Sequence, residues 1–261
     1  MVAAHTPLQL LFLLVSAAAA GAINSMAGGG TLFTFPALLA AGVTPVAANA
    51  TSTVALVPGS FSAGWAYRRE LGNYSHRVLG FLIVPSLLGG LLGAWLVAVA
   101  GDALFRRLVP ALILGATVLF IVQEPLRRWG ERRTSETAQG GLQDVNLWKL
   151  ALGQFLTSVY GGFFGAGIGI LMLAELGLIG LTNIHQMNGL KNFGAVCING
   201  IAALYFAVGS HVRWHLAALM AVGAILGGYG GAWLAQRIGE KSVRAVIIAT
   251  GLGIGLYMLL R

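Results

Sequence analysis

Polar sequence longer than a short loop occurs once in this chain, at 124–146. The rest is a succession of apolar runs at roughly 8–27, 31–42, 45–66, 78–100, 104–123, 147–164, 168–180, 183–208, 215–236 and 243–260. Only 9% of the 261 residues are charged and 57% are hydrophobic. A soluble domain carries about a quarter charged residues, so there is too little charge here to coat a water-facing surface. The chain therefore reads as an all-α polytopic membrane protein. A helix needs about 20 residues to span a bilayer. Runs 31–42 and 168–180 are too short to cross alone, and each follows a cluster of glycines.

The two halves resemble each other at an offset of 138 or 139 residues. GGLLGAWL at 89–96 matches GGYGGAWL at 227–234, AGGG at 27–30 matches AGIG at 166–169, and Asn49, Ser52 and Thr53 match Asn188, Lys191 and Asn192. An internal duplication follows, with transmembrane repeat 1 at 1–123, a charged cytoplasmic loop at 124–146 and transmembrane repeat 2 at 147–261. If all ten runs are separate passes or re-entrant arms, eleven basic residues share one side: Arg68, Arg69, Arg77, Arg127, Arg128, Arg132, Arg133, Lys149, Arg237, Lys241 and Arg244. Arg106, Arg107, Arg213 and Arg261 lie on the other. Basic loops stay in the cytoplasm, which puts both termini outside, and five passes per repeat invert the second half relative to the first. The alternative joins each short run to the one before it, giving eight spans in parallel 4+4 repeats and a weaker charge bias.

The excess of basic residues, a formal charge of +8, is accounted for by these loops without a nucleic-acid partner. The first run ends SAAAAGA, but only His5 precedes it, so it lacks the basic n-region of a signal peptide and is expected in the mature protein. Cys197, the one cysteine, reads as core packing. The histidines form no HExxH motif and no metal-ligand cluster appears, so neither an enzyme nor a cofactor is expected.

Glycine triplets inside hydrophobic stretches give up packing and backbone entropy. Irregular backbone at membrane depth survives only where protein or a watery cavity satisfies its polar groups. Runs 8–27 and 31–42 are thus expected to form a hairpin turning at Gly28, Gly29 and Gly30, mirrored by a second hairpin at Gly165, Gly167 and Gly169. A helix starting at Thr31 and rising about 1.5 Å per residue puts the tip near the middle of a ~30 Å core. With Thr44 as cap and Pro45 in the first turn, the next helix carries Asn49, Ser52 and Thr53 on one face at a similar depth. Asn188, Lys191 and Asn192 share the equivalent face. Half-helix N-termini and a lysine converging at the midplane favour an anion. Against this stand simpler readings: glycines as close-packing devices, Asn/Ser/Thr as interhelical hydrogen bonds, and Lys191 in a structural ion pair with Glu175. Glu175 and His185 could instead carry a coupled proton. The glycines at 89–93 and 227–231 read as close packing.

GAINSMAGGGTLFTFPALLAAGVTPVAANATST, together with YGGFFGAGIGILML and LKNF in the second half, resembles the TauE/SafE (sulfite exporter) family of membrane permeases over nearly the whole chain. The resemblance implies a multi-pass protein of the bacterial cytoplasmic (inner) membrane. It also implies secondary transport, in the direction of export, of a small sulfur-containing anion such as sulfite or an organosulfonate. The resemblance attaches the family's function to Gly28, Gly29, Gly30, Pro36, Asn49, Thr51 and Ser52 and to Gly165, Gly167, Gly169, Asn188, Lys191 and Asn192; Thr31, which opens the short run after the glycines, is a further candidate for binding substrate. The second half departs from the pattern: the triple glycine becomes GAGIG, Glu175 stands opposite Pro36, and GLK replaces ATS. The partners expected are the anion and the lipid bilayer, with room for a homodimer. The rival class is a passive anion channel or a membrane-embedded sensor.

Overall fold

Each glycine cluster ends one helix and starts another. The computed structural model describes the backbone of residues 6–26, 28–66, 72, 74–137, 147–179, 181, 184–209, 211–238 and 240–260. Side chains at 25, 26, 62–64, 66, 123–137, 184, 185, 229–238 and 240–244 lie outside that description. Helix α1 (Pro7–Met26) opens on a reciprocal cap: the Gln9 N–H donates to Thr6 Oγ1 and the Thr6 N–H to Gln9 Oε1, which satisfies two N-terminal groups at once. The chain then turns at Gly28, whose φ of 72° suits glycine alone among common residues, and returns as the short α2 (Thr31–Ala40). Gly30 sits against the Ala20 carbonyl, so α2 folds back along α1 rather than continuing it.

The second half repeats this. Helix α5 (Leu147–Phe163) leads to Gly165 and Gly167, at φ 78° and 79°, and α6 (Ile168–Leu178) returns. Gly161 meets Ile168, and Thr157 meets Glu175, as an antiparallel hairpin requires. Among the described residues all regular structure is helical. The other elements are α3 (Pro45–Ala66), α4 (His76–Thr137), α7 (Ile184–Val208), α8 (Trp214–Ile238) and α9 (Glu240–Leu259). A break at Gly101 (φ 66°, ψ 174°) divides α4 into two arms. The second arm runs on to Thr137, past the start of the expected loop at 124. Glu, Leu and Arg are good helix formers in water as well as in lipid, so the end of the apolar run does not end the helix.

Glycines also set how closely the helices approach. Between α1 and α8, a methyl group on Gly21, Gly223 or Gly227 would collide with the carbonyls of Ala224, Leu14 and Ala18 respectively. Between the first arm of α4 and α5, Gly93 lies on the Val159 carbonyl and Gly162 on that of Gly90. Residue numbers rise together from Leu14–Gly223 to Ala18–Gly227 and from Gly89–Phe155 to Gly93–Val159, so the helices of both seams are parallel. The second arm of α4 packs against α9 in the opposite sense, with Thr117 on Gly251 and Leu114 on Gly255. Gln154 adds a polar tie inside the α4–α5 seam, donating to Ser86 Oγ at 2.8 Å. Of the glycines expected to serve close packing at 89–93 and 227–231, those at 89, 90, 93 and 227 sit tightly against a neighbouring helix, Gly228 is in ordinary contact with Gly21, and those at 230 and 231 are outside the described side chains; Gly223 joins them.

Large apolar side chains such as Phe12, Val15, Leu88, Trp95, Leu156 and Leu226 face outward. The windows Pro7–Asn24, His76–Val122 and Gln186–Val208 are long and apolar enough to cross a membrane. Replacing Gly93 by Ala should force the α4–α5 seam apart and lower stability by roughly 1–3 kcal/mol. Gly115→Ala, where a methyl meets nothing within 4 Å, should be close to neutral; thermal unfolding in detergent checks both.

Candidate functional site

The two hairpin tips touch. The Gly167 N–H donates to the Gly28 carbonyl at 3.1 Å, and Gly28 faces Gly169, where a Cβ on Gly28 would come to 3.5 Å. Each tip thus supplies a polar partner for the other where lipid could not. The tips are anchored by their surroundings. The Gly30 N–H donates to Asn24 Oδ1 at 2.9 Å, Asn49 Nδ2 donates to the Phe163 carbonyl at the end of α5 at 3.1 Å, and Tyr160 Oη donates to the Ala166 carbonyl at 2.7 Å. Phe35, Phe105 and Phe164 pack edge to face beneath them, with centroids 5.4 and 6.1 Å from Phe35.

Beside the tips, between α3 and α7, lies a cavity of about 50 Å³. On the measure by which one water needs about 10–15 Å³, it holds roughly three to five waters or one small oxyanion. Of the residues singled out in the sequence, Gly28, Thr31, Gly165, Gly169, Lys191 and Asn192 line it, with Thr53 from α3. Lys191 is only 4% exposed. None of the lining residues is acidic, and among the described residues Lys191 forms no ion pair. The N–H groups at the starts of α2 and α6, on Thr31 and Gly169, have no acceptor among the described residues. One cation and two open N–H groups therefore border the same small space.

The remaining candidates among the described residues lie off the cavity. Gly29 packs on the Phe120 ring, the N–H groups of Gly30 and Gly167 are used as above, and Asn188 is half-buried off the cavity. Ser52 hydrogen-bonds Thr34 at 2.6 Å, and Thr51 Oγ1 accepts the Arg213 N–H at 3.0 Å. Pro36 is inside α2. Glu175 lies between α5 and α6, where its Oε2 accepts from Thr157 at 3.3 Å and its buried Oε1 has no partner among the described residues. The ion pair with Lys191 is not formed, because Glu175 is on the hairpin and off the cavity. The His185 side chain is outside the described residues.

Three polar lining residues escape the sequence reading: Asn24, Ser60 and Asn199. Asn199 Nδ2 reaches Ser60 Oγ at 3.5 Å, and the two are 139 residues apart, as are Gly28 and Gly167. A helical stripe from Asn192 to Asn199, two turns on, was the available signal.

Apolar helices around a small polar cavity at the meeting point of two broken helices define an all-helical membrane protein of the transporter class. The chain belongs to the sulfite exporter TauE/SafE family, whose profile matches residues 13–258. It is similar to the "Probable membrane transporter protein YfcA" of Escherichia coli K12, with 32% identity over 251 residues that cover 93% of this chain and 87% of the relative. A "Probable membrane transporter protein" of Haemophilus influenzae is 28% identical over 87% of this chain and 85% of its own. "Probable membrane transporter protein ORF9" of a Sinorhizobium species is 27% identical over 96% and 92%. No solved structure matches.

Removing Asn49 should damage the scaffold. Asn49→Ala leaves the Phe163 carbonyl without its donor, at a cost of about 1–3 kcal/mol, and is expected to lower the unfolding midpoint of the detergent-solubilised protein.

Proposed function

We propose that this chain is a secondary transporter of the cytoplasmic membrane that carries a small sulfur-containing oxyanion, sulfite or an organosulfonate, through the cavity beside the touching tips, with export as its direction. The observation that carries this reading is Lys191, buried in a cavity with no acidic lining residue, next to the open N–H groups of Thr31 and Gly169. An anion there gains charge-assisted hydrogen bonds and the positive ends of two half-helices. Asn192 and Asn24 offer further N–H donors around it, whereas the Thr53 hydroxyl is already given to the Asn49 carbonyl at 2.9 Å.

In this reading the repeats are inverted. The return of α2 along α1 and of α6 along α5, the contacts between residues 139 apart, and the antiparallel packing of the second arm of α4 on α9 all support an odd number of passes per repeat. Alternating access then opens the cavity to each face in turn. The glycine seams join α1 to α8 and α4 to α5, helices from different halves, so the moving bodies are these sealed pairs rather than whole repeats. A reporter fused to the C-terminus should read outside the cytoplasm; a cytoplasmic reading would remove the inverted topology.

Loss of a hydrogen bond to a charged group costs about 1.5–3 kcal/mol, so Lys191→Ala should weaken uptake by roughly 10- to 150-fold while the protein still inserts. Proteoliposome flux across a panel of sulfite, sulfoacetate, thiosulfate and sulfate checks this. Unchanged kinetics would take Lys191 out of the mechanism, and downhill flux without accumulation would favour a channel.

A further inference from the structure

A second cavity, of about 250 Å³, lies at the end of the bundle where three chain reversals meet. These are the turn from α2 to α3, the Gly101 break in α4, and the turn from α7 to α8. Thr44, Asp102, His211 and Arg213 line it, and it shares no lining residue with the cavity beside the tips.

The chemistry of this pocket is set by how its charged and polar groups are held. Asp102 Oδ1 accepts the Val46 N–H at 2.9 Å, so the carboxylate lies against the positive end of α3, which offsets its charge. The His211 ring lies over Gly209, where a Cβ would come within 3.1 Å of Nε2, and the His211 backbone N–H donates to the Phe206 carbonyl. Arg213 gives its backbone N–H to Thr51 and is exposed, and among the described residues its guanidinium forms no ion pair. A guanidinium has five donors and no acceptor. Arg106 and Arg107, also exposed, follow in the first turns of the second arm of α4. Positive charge on this end of the bundle thus exceeds what Asp102 can balance.

We infer that this pocket is a second oxyanion site, at the membrane face, which holds the transported anion on its way between solvent and the cavity beside the tips. The inference rests on the anion reading of the proposed function. Its volume accepts the ion with part of its hydration shell, whereas the inner cavity holds only a few waters. The two sites share one helix: α3 rises about 10 Å from Val46 to Thr53. The Thr51–Arg213 hydrogen bond fastens the outer pocket to that helix.

Equilibrium binding of 35S-labelled sulfite to the full chain in lipid nanodiscs at constant ionic strength tests this. Wild type should bind two ions per chain. Arg213→Gln and, independently, His211→Gln should each leave one, Lys191→Ala should leave one, and the Lys191→Ala/Arg213→Gln double variant none. Asp102→Asn keeps an oxygen for the Val46 N–H but removes the like charge, and should tighten the outer site roughly fivefold. A single wild-type ion that Arg213→Gln and His211→Gln leave in place would overturn the second site while sparing the transporter reading. Weaker binding in Asp102→Asn would mean that the pocket prefers a cation, and would overturn it too. A wild type that binds no sulfite would overturn both readings.

Discussion

The rest of the structure depends on one hydrogen bond between backbones, from the Gly167 N–H to the Gly28 carbonyl. Inside a bilayer each unsatisfied backbone group costs several kcal/mol, so a helix can be interrupted at mid-depth only if something polar meets the break. Here each break meets the other, reinforced by Asn24 and Asn49. Once the tips are joined, α2 and α6 must begin beside one another. Their open N–H groups then converge on the same space as Lys191.

Much of this was legible in the sequence because glycine acts locally. A glycine triplet followed by a half-length apolar run marks a break in the helix, and the 139-residue offset pairs the two breaks within the sequence itself. The rotation of α3 about its own axis was not legible. Neighbouring residues on a helix point about 100° apart, so spacing alone groups Ser52 with Asn49 and Thr53 but does not say which of them faces inward. That is decided by partners distant in sequence, Thr34 for Ser52 and Arg213 for Thr51, which turn Thr53 toward the cavity. The start of α3 was placed correctly at Pro45 from Thr44 and Pro45. The group that caps Val46 is nevertheless Asp102, 56 residues away, a contact no local motif announces. The end of α4 was misplaced for the opposite reason: hydropathy marks where lipid stops, and helix propensity continues to Thr137.

The two cavities differ in what they ask of an ion. The outer one is wide and borders exposed arginine, so it can take a hydrated anion at little cost. The inner one is small and neutral apart from a single ammonium, so entry requires giving up water in exchange for fixed donors. On the proposed route, entry to the inner cavity favours an ion whose several oxygens can accept from those fixed donors in place of the water given up, which is what an oxyanion offers and chloride does not.

The seams that hold the bundle together join residues made far apart in time. Leu14, Ala18 and Gly21 on α1 close against Gly223, Ala224 and Gly227 on α8, and at about 5–20 residues per second of synthesis the second partner emerges roughly 10–40 seconds after the first. During that interval the small-residue face of α1 is solvated by lipid tails, and the Gly28 carbonyl lacks its donor, the Gly167 N–H of the second half. The newborn first half is therefore a partly assembled object in the membrane, and its final geometry is decided only when the last third of the chain has been inserted.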